Sequence, residues 1–142
     1  LYPSTCYFEA TPVSLGRGTD APFEIYGHPG MKGYPFSFIP RSVEGAKNPP
    51  QLNKECHGRD LRGLDNEAII AQGLNLEYLI DAYNALGLGD KFFTPFFEKL
   101  IGDSSIRGKI AAGQSAGQIK AGWADDVARF RVQRKPYLLY DE

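Results

Sequence analysis

The spacing of apolar positions changes character part-way along the chain. Up to about residue 61 they come in short bursts bounded by prolines and glycines, and from Asn75 onward they recur at helical spacing. Residues 5–13, rich in aromatic and β-branched side chains, predict a strand. Residues 23–26 and 34–39 predict two more short strands, confined to edges or ends by nearby prolines. A polar loop over 41–55 carries Pro49-Pro50, and residues 56–61 predict a return to the sheet. Downstream, Asn75 predicts the cap of a helix that bears Leu76, Leu79, Ile80 and Tyr83 and ends near Gly87. Pro95 suits the first turn of a helix over 95–101, and Asp103 or Ser104 would cap a short one reaching Ala112. Ser115 and Gln118 make a capping-box pattern ahead of a last helix with the stripe Ile119, Trp123, Val127 and Phe130. Residues 137–140 predict a terminal strand pairing back into the sheet. Strands first and helices after predict an α+β fold. Its sheet would be small and mostly antiparallel, drawn from the N-terminal third plus the C-terminal strand, and packed by about four helices.

Composition adds limits rather than a function. A chain of 142 residues is one domain's length and can bury about two thirds of its unfolded surface. No apolar run approaches the roughly 18 residues of a membrane span, and no segment resembles a signal peptide. Sixteen basic against seventeen acidic residues give a net charge of −1, so no global field favours nucleic acid or an acidic membrane. Eight of the ten prolines fall within residues 1–50, which makes the first third turn-rich. The chain opens at Leu1 without an initiator Met and reads as a piece of a longer polypeptide. Cys6 and Cys56 fit neither a metal spacing nor a C-x-x-C motif and read as small buried hydrophobes. A disulfide between them would need an oxidising compartment and adjacent strands.

Motif chemistry is sparse. Gly102, Gly108 and Lys109 resemble a phosphate loop, but five residues separate the glycines and Ile110 stands where Ser or Thr is needed. Gly16-x-Gly18 and Gly87-x-Gly89 lack the third glycine of a dinucleotide fingerprint. With only His28 and His57, a histidine-rich metal site is not expected, and no cofactor is implied. Arg129, Arg131, Arg134 and Lys135 read as helix-end charges that complement the helix dipole, with Asp125 pairing Arg129.

Residues 8–23 are the informative stretch: Phe8-Glu9-Ala10-Thr11-Pro12-Val13-Ser14-Leu15-Gly16-Arg17-Gly18-Thr19-Asp20-Ala21-Pro22-Phe23. An arginine between glycines can present its fork to a planar anion without crowding. Equally, Arg17 can pair with Asp20 or Glu9 in a turn that binds nothing.

The same stretch resembles the F-E-G-T-N-x-S-x-G-R-G-T-x-x-P-F pattern in the C-terminal part of the NamZ-type exo-β-N-acetylmuramidases. Further matches follow in order: Gly27-His28-Pro29, Cys56-His57-Gly58-Arg59-Asp60-Leu61, Ile106-Arg107, Gly113 with Ser115, Ile119 with Trp123, and Arg134 before Tyr137-Leu138-Leu139-Tyr140. The resemblance therefore covers nearly the whole chain, departing from the pattern at Ala10 and Pro12. It implies that residues 1–142 are the C-terminal domain of a two-domain protein, preceded by a larger Rossmann-like catalytic domain with the active-site cleft between them. It implies a periplasmic or secreted glycosidase that removes terminal N-acetylmuramic acid from peptidoglycan, with muramyl glycan fragments as ligands. Glycoside hydrolysis needs two carboxyl groups about 5–10 Å apart, and the main ones would lie upstream, with Glu9 the candidate from this chain. Arg17, Thr19, Asp20, Arg59 and Asp60 would bind substrate, and the isolated chain would be inactive. The rival readings are a carbohydrate-binding module using surface aromatics such as Tyr26, Tyr34 and Phe36, and a purely architectural domain.

Overall fold

The structure is a computed structural model and describes residues 1–140. The α+β class holds, with a three-stranded antiparallel sheet and seven α-helices among the described residues. The N-terminal segment departs from expectation. Residues expected as a strand form helix α1 (Tyr2–Thr5) and then a 3-10 turn, Cys6–Ala10. Pro3 sits in the first turn, where its missing N–H costs nothing. The Thr5 hydroxyl donates to the carbonyl of Phe23 at 3.1 Å, tying the helix to the loop that enters the sheet. Aromatic and β-branched residues favour strands only where a sheet edge receives them. Here the one bridge nearby, between Ser14 and Gly27, falls just past that span, and Phe8 instead stacks on Tyr26 with ring centroids 4.8 Å apart.

The sheet is ordered β1 (Ile25–His28), β3 (Cys56–Asp60), β2 (Phe36–Phe38). Register places Tyr26 opposite Arg59 and Phe36 opposite Gly58. The centre of β3 tolerates no side chain, because a Cβ on Gly58 would lie 1.9 Å from the carbonyl oxygen of Tyr26. The first strand starts two residues later than the apolar burst suggests, since Phe23 takes a positive φ of 66° in the turn before it.

Helix α2 (Asn66–Gln72), unforeseen in the sequence, follows the sheet and is capped by Asp65, whose side chain accepts from the Ala68 N–H at 2.8 Å. Helix α3 (Glu77–Leu86) begins after Asn75, whose side chain accepts from the Glu77 N–H, and ends at Gly87 in the left-handed conformation. Helix α5 (Ser105–Ala111) follows as expected, whereas α4 (Phe97–Ile101) starts after its N-cap Phe96 and leaves Pro95 just outside its first turn. Ser115 and Gln118 close a full capping box on α6 (Ala116–Ala121). Their inner faces bury Leu79, Phe97, Ile106, Ile110 and Ile119 in one core with Phe8, Tyr26 and Phe92 of the α3–α4 connection.

The C-terminal expectations need correction. The last helix is broken at Gly122 and Trp123, and α7 (Ala124–Arg134) buries none of its residues. Trp123 packs on the core, but Val127 and Phe130 lie in solvent. Residues 137–140 form no strand: Lys135–Tyr137 is a 3-10 turn, and the tail from Tyr137 to Tyr140 is exposed. Arg129 pairs with Asp126 rather than Asp125. Cys6 and Cys56 are both free, Cys6 on a 3-10 turn rather than a strand. Burial pushes the Cys56 thiol up to about 11, so it remains a protonated core side chain.

Packing at β3 generates a direct test. Gly58→Ala is expected to lower stability by about 2–3 kcal/mol through overpacking. Gly45→Ala, where a Cβ meets nothing within 4 Å, is expected to stay within about 0.5 kcal/mol of the parent. Denaturant unfolding of the two variants measures both.

Candidate functional site

The register that sets Arg59 beside Tyr26 also aims both at α3, where Asp81 receives them. Arg59 donates from Nε to Oδ2 at 2.9 Å and from Nη2 to Oδ1 at 3.1 Å. The Tyr26 hydroxyl donates to Oδ2 at 2.7 Å and the Tyr34 hydroxyl to Oδ1 at 2.9 Å. The guanidinium also lies over the Tyr34 ring, 5.2 Å from its centroid. A carboxylate offers about four lone-pair sites, so Asp81 is fully engaged. Burial pushes its carboxyl up, but the hydrogen bonds from Arg59, Tyr26 and Tyr34 outweigh that and hold it below the ordinary value. Burial and the bond to Asp81 together raise the Tyr26 phenol far above its usual range, so it stays a donor.

A cavity of about 740 Å³ opens beside this cluster, lined among others by Phe36, Arg59, Asp60, Tyr78 and Asp81. That volume suits a ligand the size of one or two sugars. Asp65 and Glu77 also border it. Three of these four carboxylates are committed: Asp81 as above, Asp65 to capping α2, and Asp60 to Arg62, at 2.6 Å from Nη2. The Arg62 hydrogen bond holds the Asp60 carboxyl below its usual value. A general acid needs the opposite shift.

The glycine-flanked arginine sits elsewhere. Arg17 pairs with Glu9 at 2.7 Å and lies over the Phe23 ring at 4.9 Å. Gly16 and Gly18 both take positive φ, and a Cβ on either would lie 2.4 Å from a carbonyl oxygen, of Ala21 and Arg41 respectively. Close backbone approach therefore accounts for both glycines. The Thr19 hydroxyl donates to the Gly16 carbonyl at 2.7 Å and accepts from the Ala21 N–H, closing the turn. Asp20 is exposed and near enough to Arg62 to favour its charge. So Arg17 and Thr19 share one turn, with Glu9 paired to Arg17 from the preceding 3-10 turn, Arg59 and Asp60 border the cavity, and Asp20 lies near the arginine that holds Asp60.

Two further residues bear on the chemistry. Gly113-Gln114-Ser115-Ala116-Gly117 spells the G-x-S-x-G of a nucleophile elbow, but Ser115 follows helix α5 rather than a strand, and its Oγ caps α6. Asp81 was not singled out by sequence reasoning. The available signal is slight: it is the one charged residue of α3 after Glu77, three positions beyond Tyr78.

Residues 1–140, the whole described chain, match the family described as exo-beta-N-acetylmuramidase NamZ, C-terminal. The chain belongs to that family. It is 30% identical to the peptidoglycan beta-N-acetylmuramidase NamZ of Bacillus subtilis, over 99% of this chain and 37% of the relative. Among solved structures it matches a DUF1343 family protein from Bacteroides fragilis at 61% identity, with a TM-score of 0.97 over 99% of this chain and 40% of that one. The chain thus spans about two fifths of the length of these two relatives.

The Asp81 cluster predicts an acid-sensitive contribution to stability. Its folded carboxyl titrates below the unfolded value of about 3.9, so the contribution is complete above about pH 5 and is lost as pH falls below 4. Asp81→Asn is expected to cost about 1.5–3 kcal/mol at pH 7. The gap from the parent should narrow as pH falls below 4, read by denaturant unfolding at each pH.

Proposed function

We propose that this chain is the C-terminal domain of a two-domain exo-β-N-acetylmuramidase acting on peptidoglycan fragments outside the cytoplasm, in the periplasm or secreted, during cell-wall turnover. Membership of the NamZ family along the whole described chain carries the reading. The cavity beside Arg59 and Asp81 is one wall of the substrate cleft, and the larger N-terminal part supplies the other wall and the main catalytic carboxyls. The electrostatics of the cavity support that division. Asp60 and Asp81 are both held low, which suits orienting a polar ligand and not protonating a leaving group.

N-acetylmuramic acid carries a lactyl carboxylate, so a selective site offers it a cation. Arg59 and Arg17 are the two candidates. Arg59 is favoured because it borders the cavity, and its pairing with Asp81 through Nε and Nη2 fixes the guanidinium's orientation. Arg17, with Glu9, Thr19 and Asp20, would serve at the cleft rim. Of the aromatics that the alternative binding module would use, Tyr26 is fully buried, while Tyr34 and Phe36 are half-buried and Phe36 borders the cavity.

The test is hydrolysis of a terminal β-N-acetylmuramic acid glycoside by the full-length protein. Activity is expected, and Arg59→Ala should lower kcat/KM about ten- to a hundredfold, the worth of one charge-assisted bond. An analogue with the lactyl carboxylate amidated should be affected much less. The 142-residue chain alone should show no turnover. An inactive full-length protein, or parental kcat/KM in a folded Arg59→Ala variant, contradicts the reading.

A further inference from the structure

The described residues expose fourteen large hydrophobic side chains, and seven of them lie between residues 124 and 140. Val127 is 46% exposed, Phe130 57% and Leu139 89%. The stripe that begins with Ile119 and Trp123 on the core continues past it with Val127 and Phe130, so one apolar face changes from buried to bare at residue 123. Helix α7 has eleven residues and buries none of them. A helix of that length is marginal in water without a packed face. An exposed patch rich in aromatic and arginine side chains is the composition of a protein interface.

Two observations bear on what covers it. The crystallised relative superposes on 99% of this chain with a TM-score of 0.97, which leaves no room for a seventeen-residue arm to point elsewhere. An arm with so little packing of its own keeps the same course in a protein of which this chain is only 40%. The remaining chain in such a relative is long enough to form a surface for it, and the family's C-terminal designation puts that chain on the N-terminal side.

We infer that residues 124–140 are the docking arm by which this domain is held to the N-terminal part of its own polypeptide. The inference rests on the proposed two-domain organisation but not on the reaction. Val127, Phe130, Tyr137 and Leu139 supply the apolar contact. The arm carries four basic residues, Arg129, Arg131, Arg134 and Lys135, against Asp125 and Asp126, so the receiving face is apolar with an acidic rim. A clamp of this kind would fix the cavity wall relative to the other half of the cleft.

Hydrogen exchange of the full-length protein, followed on peptides covering 124–140, tests the arm. Its amides should exchange on the order of a hundredfold or more slower than an unfolded peptide, independently of protein concentration and in a monomer. Phe130→Asp with Leu139→Asp should abolish that protection while the sheet over 25–60 stays protected, and Phe130→Leu should retain it. Unprotected amides in the parent overturn the inference, as does protection that survives the double substitution. Protection that appears only as a dimer forms assigns the face to a second copy and also overturns it. Muramidase activity is read in parallel: a protected arm in an inactive protein defeats the proposed reaction and leaves the docking intact.

Discussion

Asp81 receives four hydrogen bonds from three side chains, and those side chains come from β1, the segment before β2, and β3. This one carboxylate therefore ties every part of a very small sheet to helix α3. A three-stranded sheet needs packing against helices for independent stability, and the Asp81 contact supplies a directional link where apolar packing alone would allow the helix to slide. The same link fixes Arg59 at the edge of the cavity, so the fold's tether and the candidate ligand wall are one structure.

The division of labour follows from charge. Three of the four carboxyls at the cavity edge are paired with arginines or spent on a helix cap. The two arginine-paired groups, Asp60 and Asp81, are held below the ordinary carboxyl value and suit orienting a ligand. A glycosidase acid must instead carry a proton near neutral pH, which calls for burial without a paired cation. On the proposed division, this chain contributes recognition, and proton transfer falls to the N-terminal part of the protein.

The helical half of the fold was legible because caps and apolar stripes act locally: Asn75, Gly87 and the Ser115–Gln118 box each mark an element end where the structure has one. The N-terminal helix and 3-10 turn were not legible, because whether residues 5–13 pair as a strand depends on a sheet edge far along the chain. The C-terminal stripe misled for a related reason: its period is real, but its partner is not among the residues that bury Ile119. Arg59 and Asp60 stood out by their motif, whereas Asp81 did not, since a single acid on a helix surface looks like any solvated charge until the strands are placed over it.

A crystal structure of the full-length protein with N-acetylmuramic acid bound tests the central claim most directly. The account predicts the sugar in the cavity beside Arg59, with the lactyl carboxylate at the guanidinium and the N-terminal part closing the opposite side. A sugar held wholly by the N-terminal part, with the cavity filled by that part's side chains, would contradict it.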